Sequence, residues 1–189
     1  MVRSLLSPLL VVITVLIIPS IGEALVFLPL IFSLAVSLVN LSKLKSKNKV
    51  WGVLLFLIQT YVVFLGLAIT TYLSEDLIEN LSPSSEEEFA LRGIILVTLG
   101  GYLAALLLYF FSTFLFVLER KRFGYYILTI CYAIVVLVMQ VFSKAEYLQF
   151  GVEKFAAYLV SWVIFMSLGF SIILNKDEIT TFFKSLKRN

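Results

Sequence analysis

The sequence contains no histidine, a single cysteine and few charged residues, only 14% of 189 positions. Each shortage excludes something. Without histidine there is no histidine-ligated haem, no histidine-containing metal site and no triad with an imidazole base. Cys131 has no second cysteine to pair with, so an intrachain disulfide is impossible and cysteine usage says nothing about redox compartment. Soluble domains carry about 25% charged residues, whereas this chain is 61% hydrophobic with a mean hydropathy of +1.04. No stretch is long and polar enough to form a separate soluble domain. A basic stripe interleaved with aromatics, the footprint of nucleic-acid binding, is missing. So are a Walker loop, a dinucleotide fingerprint, paired carboxylates and a Cys/His metal signature.

What the chain does contain is apolar runs from end to end. A hydrocarbon core of about 30 Å is crossed by roughly 20 helical residues. The runs predict spans at residues 5–21, 24–41, 50–73, 89–118, 123–142 and 155–174. Charge alternates between the connecting segments. Arg3, the KLKSKNK stretch, the ERKR stretch and the C-terminal tail hold 12 basic and 3 acidic residues, while the other group holds 3 basic and 9 acidic. Under the positive-inside rule the basic group is cytoplasmic.

Pro19, Gly22 and Glu23 interrupt the first apolar region. One continuous helix over residues 5–41 would place a helix-breaking proline and a carboxylate in mid-membrane. A signal-like reading also fits, with Arg3 as n-region and Gly22-Glu23-Ala24 as a small-x-small site. The preferred reading is a tight turn between two spans. The expected fold is therefore an all-α polytopic integral membrane protein in the cell membrane, a six-helix transmembrane bundle with both termini cytoplasmic. Residues 1–174 form the bundle and 175–189 a cytoplasmic amphipathic tail.

Local signals refine the ends. Ser85 with Glu88 forms a capping box, and Glu86 to Glu88 suit the positive end of a helix dipole. Gly100-Gly101 is a place for a bend or a close helix approach. Asn175 with Glu178 repeats the capping signature in the tail, followed by Ile179, Phe182, Phe183 and Leu186 at helical spacing. With Lys184, Lys187 and Arg188 this predicts an interfacial helix attracted to anionic lipid. Ser143 with Glu146 suggests another short helix, and Asn80-Leu81-Ser82 is a glycosylation sequon.

Ionisable side chains are nearly absent from the expected spans, which argues against a self-contained proton pump. Arg92 can reach the surface past Glu88. The candidate polar contacts are Gln59, Gln140, Thr98 and Ser161, read as interhelical hydrogen bonds before ligand contacts. Gly100, Gly101, Ala104, Ala105 and Ala157 are candidate close-packing positions. Trp51, Trp162, Tyr125 and Tyr126 are interface anchors or packing residues. No cofactor is expected, and no enzyme activity, because neither nucleophile nor base is identifiable. The expected partners are the lipid bilayer, larger integral membrane subunits and anionic lipid at the tail. The function that fits is a non-catalytic subunit of a respiratory, transport or translocation complex. The alternative is a small-solute transporter, or its membrane-embedded substrate-binding component.

Overall fold

Long aliphatic and aromatic runs with few internal breakers satisfy their backbone groups most simply as α-helix, and helix is what the chain forms. The computed structural model describes residues 2–17, 21–80, 86–118, 122–145 and 152–187. Among them are helices α1 (Val2–Ile17), α2 (Ile21–Val39), α3 (Lys49–Asn80), α4 (Glu86–Leu115), α5 (Arg122–Ala145), α6 (Val152–Leu174) and α7 (Lys176–Leu186). A single 3-10 turn, Leu41–Lys43, follows α2, and Leu44 forms an isolated antiparallel bridge with Phe116. Helices adjacent in sequence from α1 to α6 touch one another, and α6 returns to touch both α1 and α2, closing the bundle.

α2, α3 and α6 each bury one stripe. Leu28, Phe32 and Val36 of α2 recur at four-residue spacing, as do Phe56, Thr60 and Phe64 of α3. Trp162, Met166 and Phe170 form the equivalent row on α6. The rows meet in an aromatic centre. Phe56 lies edge-on to Phe116 with centroids 5.0 Å apart, and Phe32 lies edge-on to Phe170 at 5.9 Å. Deeper along the bundle Trp162 stands edge-on to Phe64 at 5.1 Å. Trp162 is fully buried and is therefore a core residue, not an interface anchor, whereas Trp51 is 58% exposed at the start of α3. Gly124 allows α5 to approach α4 closely: a Cβ there would lie 2.5 Å from the Tyr109 hydroxyl. Tyr109 is itself buried, so a larger residue would displace its ring.

The outward faces are as apolar as the core. Val62 and Leu65 of α3 are each 63% exposed, and Leu99, Leu103, Leu107 and Phe114 form an exposed row on α4. Such a surface suits lipid. Among the described residues, two helices are long and apolar enough to cross a membrane, through Lys49–Leu67 and Thr98–Leu115. Counting the bent pair Leu159–Leu174 and Lys176–Leu186 as one broken span makes three. This corrects the expected six-helix transmembrane bundle. Among the described residues the apolar stretches Leu5–Ile17 and Phe27–Val39 rise about 20 Å and Arg122–Val138 about 25 Å, short of a core of about 30 Å. The assignment of both termini to the cytoplasmic side was built on six crossings and falls with it.

Boundaries also move. α3 runs past the expected border at residue 73 to Asn80, taking in Glu75, Asp76 and Glu79. α4 ends at Leu115, because Phe116 leaves the helix to bridge Leu44. α5 continues through Ser143 to Ala145, so Ser143 does not cap a separate helix there. α4 passes unbroken through Gly100-Gly101. α1 and α2 are separate helices in contact. Pro19, Ser85 and Glu146, on which the tight turn and two capping signals depend, lie outside the described residues.

Candidate functional site

Among the described residues a dense polar arrangement lies where the segment between α2 and α3 meets the C-terminal ends of α4 and α6. A helix ends with unsatisfied carbonyls and a partial negative charge. Here lysines from the α2–α3 segment supply the missing donors. The Lys43 ammonium donates to the carbonyl of Leu174, the last residue of α6, and to Asn175 Oδ1 at 2.7 Å. It also lies 3.6 Å from Glu178 of α7. Lys45 Nζ donates to the Thr113 carbonyl in the last turn of α4 at 2.5 Å. The backbone adds two rungs: Lys45 N–H to the Leu115 carbonyl at 2.9 Å, and Val117 N–H to the Lys43 carbonyl at 2.8 Å.

Two buried asparagines complete this clasp. Asn175 Nδ2 donates to Asn40 Oδ1 at 3.1 Å and to the Ser171 carbonyl at 2.9 Å. Asn40 Nδ2 donates to the Val36 carbonyl at 2.9 Å. Asn175 was expected to cap α7, but its side chain makes no cap hydrogen bond. It faces into the bundle, where the alternative to these partners is a desolvated amide. Extended backbone at Leu44 turns that side chain opposite to its flanking lysines. Leu44 is buried beside the Phe56–Phe116 pair, while Lys43 and Lys45 reach the helix ends. The sequence signal was this leucine inside KLKSKNK. Read only as topology-setting charge, the lysines concealed their role as helix caps.

No protein-family model, curated protein or solved structure matches the chain.

The sequence-derived candidates are spread over several interfaces. Gln59 Nε2 donates to the Leu108 carbonyl at 3.1 Å and to Ser112 Oγ at 2.9 Å, joining α3 to α4. The Thr98 carbonyl accepts the Tyr132 hydroxyl, joining α4 to α5. Ser161 is half-buried on α6 beside Trp162. Gly100, Gly101, Ala104 and Ala105 are all buried on α4. Gln140 and Ala157 fall within α5 and α6, but their side chains lie outside the described residues. Arg92 pairs with Glu88 one turn back. Substitution Gln59→Leu is expected to destabilise the α3–α4 pair by about 0.6–2 kcal/mol, read as a lower unfolding midpoint in mild detergent. An unchanged midpoint would show that the bond adds nothing to stability.

Proposed function

We propose that the protein is a non-catalytic integral membrane subunit that docks beside larger subunits of a membrane complex. The observation that carries this reading is the outward face of α4. Phe110, Phe111 and Phe114 are exposed yet stack edge-to-face on one another, with centroids 5.6 Å apart in both the Phe110–Phe111 and Phe110–Phe114 pairs. Clustered aromatics on an exposed face are what protein interfaces favour. The clasp supports the same reading, since its lysines and asparagines hold helix ends together. In this reading α7, which leaves α6 at 74°, lies along an anionic leaflet. Phe182, Phe183 and Leu186 would enter the acyl boundary while Lys184 and Lys187 meet headgroups.

Purification of the tagged chain from its own membranes in mild detergent, read by native mass spectrometry, tests the proposal. Larger membrane subunits are expected in fixed ratio, and Phe110→Ser with Phe114→Ser should release them while the chain stays folded. A chain that runs alone, monodisperse and stabilised by a small solute, would overturn the subunit reading in favour of a transporter.

A further inference from the structure

Beside the clasp, a groove of about 510 Å³ opens between α1 and the start of α3. Leu6 of α1, Leu38 and Val39 of α2, Leu41, Ser42 and Lys49 line it. Its walls are aliphatic, with a hydroxyl and an ammonium as the polar lining. Lys49 Nζ donates to the Leu44 carbonyl at 2.6 Å, which leaves two of its three N–H directions unassigned. The Ser42 side chain is exposed and makes no hydrogen bond among the described residues.

The level of the groove is set by α3. The membrane-length apolar stretch of that helix begins at Lys49 itself, and exposed Trp51 follows within the first turn. Lysine and tryptophan at the end of an apolar span mark the headgroup level. The sign of the ligand is set by charge. The stretch LSKLKSKNKVW, residues 41–51, contains four lysines and no acidic residue. The only described carboxylate paired with it, Glu178, is on Lys43. The groove also borders the positive end of α3, whose first N–H groups are held by Asn48 Oδ1, at 3.1 Å from Val50 N and 3.4 Å from Trp51 N.

We propose that this groove holds one anionic phospholipid. The phosphate sits at Ser42 and Lys49, and an acyl chain runs over Leu6, Leu38 and Leu41. The site rests on residence in a membrane and not on the subunit reading, because bound lipid is counted on the chain alone. Absence of partner subunits therefore leaves it standing.

The test is native mass spectrometry of the purified full chain titrated with phosphatidylglycerol, phosphatidylcholine or inorganic phosphate. One phosphatidylglycerol per chain is expected, retained at least about tenfold more strongly than phosphatidylcholine. Lys49→Gln keeps an amide donor for the Leu44 carbonyl but loses the charge. Leu38→Trp fills the groove from its exposed lip, and Leu6→Trp fills it from the opposite wall should the first variant unfold. Each folded variant should lose at least about tenfold in retention with an unchanged melting midpoint. Lys184→Gln with Lys187→Gln in α7 should change nothing, which separates the groove from the tail. Equal retention of both lipids, full retention in the groove-filling variants, or displacement of the lipid by inorganic phosphate alone would overturn the proposal.

Discussion

Phe56→Ala is expected to lower stability by about 3–5 kcal/mol, the range for removing a large aromatic from a closed core. Phe56 is fully buried and touches rings from three other parts of the chain: Phe32 of α2, Phe170 of α6 and Phe116 beyond α4. Its loss leaves a cavity bounded by those rings, of which Phe32 and Phe170 already hold each other edge-on. In lipid the outside of a helix is as apolar as the inside, so association depends on close contact and not on exclusion of water. A hole at the junction of four elements is therefore felt by all of them. Unfolding of detergent-solubilised protein by added sodium dodecyl sulfate measures the effect. Phe56→Leu should fall between wild type and Phe56→Ala. A loss below about 1 kcal/mol for the alanine variant would mean that the four elements are not joined through this ring.

Asn175→Leu is the second large effect, expected at about 2–4 kcal/mol from loss of one charge-assisted and two neutral hydrogen bonds. The leucine is close in volume, so the change isolates polarity. It removes the acceptor for Lys43 and the donor for both Asn40 and the Ser171 carbonyl, and leaves the buried Asn40 oxygen without that partner. Coupling distinguishes this from general damage. The double variant Asn175→Leu with Lys43→Met should be less destabilised than the sum of the single variants, because both remove the same bond. Strict additivity would show that Lys43 and Asn175 do not act together.

The helices were legible because apolar runs and the scarcity of internal breakers leave the backbone little else to do. The tail was legible for a different reason: Ile179, Phe182, Phe183 and Leu186 recur at helical spacing, and α7 covers all four. The number of membrane crossings was not legible. Hydropathy marks apolar runs but not how many of their residues stand as one membrane-length helix, and the runs starting at Leu5 and Ala24 read longer than the described apolar stretches Leu5–Ile17 and Phe27–Val39. Gln59 could be named from its polarity alone, but its partner Ser112 could not, since residues 53 positions apart meet only once α3 and α4 pair. Asn175 shows the converse. A local capping rule identified a polar residue correctly as important and assigned it the wrong partner, because the rule knows only the next four residues. The tertiary alternative, an amide from α2, lay outside its reach.

The clasp also carries information about time. Lys43 and the residues it holds at the end of α6 are separated by 131 and 132 positions, and Asn40 and Asn175 by 135. During synthesis the α2–α3 segment emerges early, and the Lys43 ammonium must stay hydrated until almost the entire chain has followed. Lys45 can close on the end of α4 once that helix is made, whereas Lys43 finds its carbonyl only when α6 arrives. Closure therefore reports that the last core helix has been made and placed. A chain halted before that point leaves Lys43 without its α6 acceptors and the Asn40 amide oxygen without the Asn175 donor.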